Sequence, residues 1–486
     1  MQTKRKNIVK LIMPKIFVYT GFLIFLLIFY KLTLQKGIYY GSIIASLPFL
    51  SIGFFLLLKN PLWSFIFLFI ANYFVMGITR YISFPGGILM DSVIFFCFAT
   101  LLLKTAYEKI EWKKALTPLT LITFLWLFFC ILELLNPKAV PISDWATRVR
   151  GMAVYPFFLA ILVPLLFTKY KYFRIILFIW SVLTLLAAFK GYWQKNHGFD
   201  SAELYWLYVG GGARTHLINT GIRFFSFFTD AGNYGSSMGF SMVVFFTTAF
   251  FIRNKWMKVY FFIAAFAGGY GMMISGTRGA IAVPFIGFAV FTILSKNWKI
   301  CSFTILFLTS AFIFLNFTNY GDSNQQIRRM RTAFDQNDAS LNTRIENQKK
   351  LKEYMTDSPF GTSIGFYGKK EIAKTDPYYE ISKIPSDSWY VQIWIQTGII
   401  GLGIYLVSLI ITIILAGYNI LFNIKNKKLR GTLAGLLSGV SGMFVSAYGN
   451  DVLSQFPNCF LFYICLAFIF MGKYYDKELE EHEKLT

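Results

Sequence analysis

The chain has 486 residues, of which 56% are hydrophobic, 19% aromatic and 15% charged, more apolar surface than a soluble fold can hide. Its apolar runs have helix length rather than the alternating pattern of an outer-membrane barrel, so the solvent is lipid and each backbone polar group is satisfied within a helix. The formal charge of +23 sits between the apolar runs, where topology and anionic lipid account for it, and it does not argue for nucleic acid as a partner.

Lys4, Arg5, Lys6, Lys10 and Lys15 precede the first apolar run, and no small-residue cleavage site follows it. This predicts an uncleaved first span. At roughly 20 apolar residues per crossing, spans are expected at Ile16–Tyr30, Ile38–Leu58, Leu62–Ile78, Ile88–Leu103, Leu116–Leu135, Met152–Phe167 and Phe173–Phe189. Further spans are expected at Tyr234–Ile252, Trp256–Ile274, Ala280–Leu294, Ile300–Phe317, Ile399–Phe422, Thr432–Ala447 and Phe456–Met471. The expected fold is all-α and polytopic, with about 14 transmembrane helices. Residues 1–316 hold spans 1 to 11 with an external connection at 190–233, residues 317–388 form one large external loop, residues 389–472 hold spans 12 to 14, and residues 473–486 are a cytoplasmic tail. Cys97, Cys130, Cys301, Cys459 and Cys465 lie inside apolar runs without metal-ligand spacing and read as small core residues.

Alternation from a cytoplasmic amino terminus puts the clusters around Lys104–Lys114, Lys169–Arg174, Arg253–Lys258, Lys296–Lys299 and Lys425–Arg430 inside, as the positive-inside rule requires. Both termini are then cytoplasmic. The inside cations are mostly Lys, whereas Arg80, Arg148, Arg150, Arg214, Arg223, Arg278, Arg328, Arg329, Arg331 and Arg344 fall outside. Topology needs only positive charge. A planar guanidinium also grips phosphate oxygens in pairs, so this pattern points to a pyrophosphate or acidic sugar ligand, with loop salt bridges as the plainer account of any single Arg.

Four stretches place polar residues where a bilayer protein tolerates few. In Asn219–Gly235, Arg223 is flanked by Phe224, Phe225, Phe227 and Phe228, and Asp230 and Asn233 follow at a helix start; the plain alternative is an interfacial anchor and a helix cap. Ser275–Ala280 is a tight turn that holds Arg278 between Gly276 and Gly279. The large loop should carry a surface helix with Arg344, begun by Ser340 or Asn342 and stopped at Pro359 and Gly361, followed by a segment whose glycines permit a turn over a ligand. The fourth stretch sets Asp387 and Ser388 nine residues ahead of Gly398-Ile399-Ile400-Gly401. There Asp387 reads either as a general base or as a helix N-cap.

Together the four stretches, over Arg223 to about Tyr405, resemble the O-antigen polymerase and O-antigen ligase superfamily of bacterial envelope glycan transferases. Arg223, Asp230 and Asn233 match one of its segments, Thr277-Arg278-Gly279 its Ser/Thr-Arg-Gly turn, and Arg344, Pro359 and Gly361 its loop helix. The ligases carry a His ahead of the Gly-x-x-Gly frame; Asp387 stands in its place, which brings the sequence closer to the polymerases. The resemblance implies an enzyme of the bacterial inner membrane. It would transfer a glycan from an undecaprenyl-pyrophosphate-linked donor to a glycan acceptor on the outer membrane face, without a cofactor or required metal, and with an envelope chain-length regulator as a candidate partner. Arg223 and Arg278, with Arg214 and Arg344, would meet the charge of the leaving pyrophosphate. Asp387 would take the acceptor proton, with Asp451 and Asp230 as secondary candidates and Asn233 beside them. A ligase acting on lipid A core or protein is the alternative within the class. A lipid-linked oligosaccharide flippase is the alternative outside it, disfavoured because transporters gather charge at the midplane and show inverted repeats.

Overall fold

A computed structural model describes residues 59–485 except 139, 219–220, 333–338, 367–378 and 387, together with 20, 24, 26–31 and 55–57. The first two expected spans fall largely outside these residues, as does Asp387. Residues 1–64 and 65–486 form two compact units. The described residues of the first unit are mostly helical; all that follows concerns the second, together with the helix that begins at Pro61.

Helices α1 (Pro61–Ile78), α2 (Gly86–Thr105) and α3 (Pro118–Leu132) are followed by α4 (Ile142–Val149), which runs through a π-helical turn at Arg150–Val154 into α5 (Tyr155–Leu166). Then come α6 (Tyr170–His197), two short helices α7 (Ser201–Tyr208) and α8 (Ala213–His216), and a two-stranded hairpin, β1 (Leu217–Ile218) with β2 (Gly221–Ile222). The central helices are α9 (Ala231–Ala249), α10 (Lys255–Ile274), α11 (Ala282–Ser295) and α12 (Trp298–Phe317). The long loop carries α13 (Gln325–Arg331), α14 (Ala339–Met355) and α15 (Tyr379–Lys383), and the chain closes with α16 (Trp389–Tyr418), α17 (Lys427–Ser446) and α18 (Asn458–Leu485).

Among the described residues nine helices are long and apolar enough to cross a membrane, which makes the chain a helical polytopic membrane protein. Helices α9 and α17 are as long but are not among the nine, because Gly, Ser and Thr replace their aliphatic side chains. Both are buried on nearly every side. They face protein rather than lipid, and there small residues serve better, since they let helix backbones approach. A Cβ on Gly268 of α10 would stand 2.8 Å from the Met238 carbonyl oxygen of α9, and one on Gly442 of α17 would run into the Val283 backbone of α11. The apolar part of α18 is almost wholly enclosed and forms the other axis of the bundle.

Several boundaries differ from expectation. Helix α6 continues beyond residue 190 to His197, because its last turn holds the chain that folds back over it, and Gln194 Oε1 accepts the Phe225 and Ser226 N–H groups at 3.3 and 2.9 Å. Helix α18 continues through the expected tail to Leu485, where Glu478 and Asp476 accept backbone N–H groups of Tyr170, Lys425 and Asn426. Helix α16 starts at Trp389, ten residues before the expected Ile399, and is broken at Gly398, whose φ is +68°. The segment after Pro359 docks on this break: Thr362 N–H donates to the Ile395 carbonyl at 2.8 Å and Gly365 N–H to Gln396 Oε1 at 3.0 Å, while Ile400 N–H reaches the Pro359 carbonyl at 3.3 Å. A side chain at Gly398 would overlap the Pro359 carbonyl. Gly398→Ala is therefore expected to cost at least about 2 kcal/mol through left-handed strain and undocking of the loop, read as a lowered thermal midpoint in detergent and faster proteolysis near residue 360.

Candidate functional site

Antiparallel helices alternate in direction, so the starts of α9, α11, α16 and α18 and the ends of α10 and α17 come together at one end of the bundle. The lysine-rich clusters lie at the other end, on the ends of α2, α9, α11 and α16 and the starts of α6, α10 and α17. At the first end the helix termini and the loop helices enclose a cleft of about 1030 Å³. Its lining includes Arg223, Asp230, Asn233, Arg278, Arg344 and Asp451, residues drawn from stretches more than two hundred positions apart. Arg329, His216, Gln392, Asn450 and Gln455 join them. One wall is apolar, made by Ile281, Phe285 and Ile286 of the α11 segment and Phe312 of α12.

The anchor of the cleft is Thr277. Its hydroxyl accepts Nη2–H of Arg223 at 2.8 Å and donates to the Ala231 carbonyl at 2.8 Å, so the Arg223 stretch, the Arg278 turn and the start of α9 are tied at one atom. Arg223 Nη1 donates to the Thr215 carbonyl at 3.0 Å. Asp230 Oδ1 accepts the Asn233 N–H at 2.9 Å and caps α9, and Asn233 donates its side-chain amide to the carbonyl of Phe456 at 2.6 Å. Both therefore have structural duties in addition to lining the cleft. Arg278 reaches Thr332 Oγ1 at 3.4 Å, and Arg329 Nε donates to the Gly276 carbonyl. Gly276, at φ +58°, lies so close that a Cβ would be 3.2 Å from Arg329 and 3.5 Å from Arg223. Asp451 accepts Gln392 Nε2–H at 3.0 Å and Ser454 Oγ–H at 2.6 Å, which fixes its carboxylate at the cleft wall. Asn450 Nδ2, Gln392 Oε1 and Gln455 Oε1 are buried and have no hydrogen-bond partner among the described residues. Buried polar atoms of this kind call for a polar ligand or water.

His216 is buried behind this wall. Its Nδ1 faces the Gly212 carbonyl at 2.9 Å and its Nε2 accepts the Ala231 N–H at 3.1 Å, which sets a neutral, Nδ1-protonated ring. Burial, with Arg223 and Arg80 nearby, lowers its pKa to about 4.

The structure departs from expectation in four places. The stretch beside Arg223 holds a different arginine: Arg80 lies 4.4 Å over the Phe225 ring and 4.5 Å over Trp206, and donates to the carbonyls of Ser226, Phe228 and Thr229. Burial lowers the pKa of Arg80 to about 10, and it remains charged. Arg214 is exposed and does not line the cleft, because the turn at Gly212 directs His216 inward instead. Arg150 pairs with Asp91, and Arg148 stands 5.8 Å over the Trp389 ring, so neither lines the cleft. Arg329, one of three arginines on α13, carries no sequence signal that separates it from its neighbours. Arg328 is exposed and Arg331 pairs with Asp322 at 2.8 Å, and only the docking of α13 selects the one between them. Asp387 lies outside the described residues, while its neighbour Ser386 lines the cleft.

The fold and cleft define an integral helical membrane protein with a guanidinium-rich site at one end of its bundle. A family model described as O-Antigen ligase matches residues 261–406, the segment that carries Arg278, Arg329, Arg344 and the broken helix. An O-antigen polymerase of Salmonella muenchen is 23% identical over 347 residues, 67% of this chain and 81% of that protein. The two matches support the chain's place in the O-antigen polymerase and ligase superfamily.

Because His216 is neutral in the folded chain and ordinarily titrates near 6.5, the unfolded chain takes up a proton between pH 6.5 and 4 that the folded chain refuses. Stability is full above that window and falls as pH drops through it, by roughly 3 kcal/mol. The thermal midpoint in detergent should decline over this range, and His216→Gln, which keeps an acceptor side chain, should flatten the decline.

Proposed function

We propose that the protein is a glycosyltransferase that polymerises undecaprenyl-pyrophosphate-linked repeat units into O-antigen or capsular or exopolysaccharide. The observation that carries the reading is the single cleft in which Arg223, Arg278, Arg329 and Arg344 converge beside an apolar wall. Guanidinium groups suit a pyrophosphate, and Phe285, Ile286 and Phe312 suit the first isoprene units of a lipid carrier. A charged site at one end of the bundle favours an enzyme over a flippase, whose charges belong at the midplane. The lysine-rich clusters at the opposite end support an orientation with the cleft on the outer face of the bacterial inner membrane and both termini cytoplasmic.

In the proposed step a hydroxyl oxygen of the acceptor sugar attacks the anomeric carbon of the donor. The bond from that carbon to the pyrophosphate oxygen breaks, its electron pair leaves with the pyrophosphate, and the arginines stabilise the growing charge. The hydroxyl proton passes to a carboxylate. Asp387 is the assigned base from its position ahead of the Gly-x-x-Gly frame. Asp451 is the alternative, held on the cleft wall by Gln392 and Ser454 with lone pairs to spare. Direct displacement inverts the anomeric centre. A chain-length regulator in the envelope is the protein partner the reading implies.

A second reading, ligase-type transfer of finished glycan to lipid A core or protein, is favoured by the description of the matching family model. One experiment separates the two. In a host deleted for this protein, glycan length is compared after complementation with wild type, Arg278→Ala, Arg223→Lys, Asp387→Asn and Asp451→Asn, each checked for membrane expression. The expected result is a ladder with wild type and a single repeat with Arg278→Ala and with the variant that removes the base, a loss of roughly a hundredfold or more. Arg223→Lys keeps the charge but loses the fork, and should shorten the ladder. Full-length glycan stranded on its carrier in the deleted host would instead make the protein a ligase.

A further inference from the structure

The end of the bundle remote from the cleft holds a second groove, of about 690 Å³, between the starts of α6, α10 and α17 and the end of α9. Its floor is apolar, with Phe178, Phe251, Met257 and Phe261 among its residues. Lys171, Arg174, Arg253 and Lys428 line it as well. Lys171 and Arg174 are three positions apart on α6 and so share a helix face. None of these four cations is in an ion pair among the described residues. The nearby carboxylates of α18 are occupied with backbone: Glu478 accepts the Tyr170 N–H at 2.7 Å and Asp476 those of Lys425 and Asn426, each at 2.9 Å. Within the groove the Thr248 hydroxyl is buried and has no hydrogen-bond partner among the described residues, although Thr247 beside it donates to the Val243 carbonyl at 2.7 Å.

An apolar trough asks for an acyl chain, a set of unneutralised cations for an anion, and a lone buried hydroxyl between them for an acceptor such as an ester carbonyl. We propose that this groove binds a diacyl phospholipid with an anionic head group: its phosphate lies among Lys171, Arg174, Arg253 and Lys428, and an ester oxygen accepts from Thr248. A free phosphate ion would meet the cations and leave the trough and the hydroxyl unused. Helix α17 is close, since a Cβ on Gly431 would overlap the Phe251 ring, so the bound lipid would brace α6 together with α9, α10 and α17, and the far ends of the last three lie at the cleft.

The test uses the full chain in neutral detergent, with lipid binding followed by native mass spectrometry and by thermal midpoint. Phosphatidylglycerol should bind and stabilise more than phosphatidylcholine of the same chains, and glycerol phosphate alone should do neither. Arg174→Gln with Arg253→Gln should weaken phosphatidylglycerol binding about tenfold or more. Lys255→Gln with Lys258→Gln removes equal charge at the same end, outside the groove, and should leave it unchanged. Thr248→Val, which replaces a hydroxyl by a methyl group, should weaken retention severalfold and tests the site even if the arginine pair fails to purify. Equal binding of phosphatidylcholine, an equal effect of glycerol phosphate, an equal loss in the lysine pair, or full retention by Thr248→Val would each overturn the proposal.

Discussion

One hydroxyl group holds the cleft together. Thr277 has a single proton to give and lone pairs to receive, and it uses both: the proton goes to the Ala231 carbonyl and an Arg223 N–H comes in. Ala231 is the first helical residue of α9, and its N–H is taken by His216. The start of α9 is therefore fixed from two sides, by a turn between α10 and α11 and by a short helix from the preceding connection. Arg223 is thereby held on the cleft wall, its Nη1 on the Thr215 carbonyl and its Nη2 on Thr277.

The tie holds only because the helices that carry it are close. Small residues on α9, α10, α11 and α17 let backbones meet where larger side chains would hold them apart, and the hydrogen bonds at the helix ends follow from that spacing. The cost is a pair of helices, α9 and α17, too polar to face lipid, which the bundle encloses. Around them the longer apolar helices form the surface that meets the acyl chains. Gly398 performs a related service in α16, where its positive φ opens the helix and the Pro359 carbonyl enters the gap. The long loop is thus anchored in the bundle at a point beyond which α14 can bring Arg344 over the cleft.

Much of the cleft's polar lining was legible because polar residues are rare in such a sequence. Arg223, Arg278 and Arg344 stood out against apolar runs, and the structure brings all three to one cleft with Asp230 and Asp451. What misled was adjacency. Phe225 is a near neighbour of Arg223 in sequence, yet its ring lies against Arg80, nearly 150 positions earlier, because the chain between them folds back over Gln194. Arg214 and Arg329 show the same limit: whether an arginine on a short helix faces the cleft depends on where that helix docks.

The sequence by itself determined the class of solvent, the helical architecture, the separation of lysine-rich from arginine-rich ends and the polar stretches that stand apart from the apolar runs, since each of these follows from local composition and the energetics of lipid. Tertiary structure alone decided which guanidinium meets which partner, where α16 breaks, how far α6 and α18 extend and that His216 stays neutral. Those outcomes depend on contacts between residues far apart in the chain, and no local pattern encodes the distance between two helix ends.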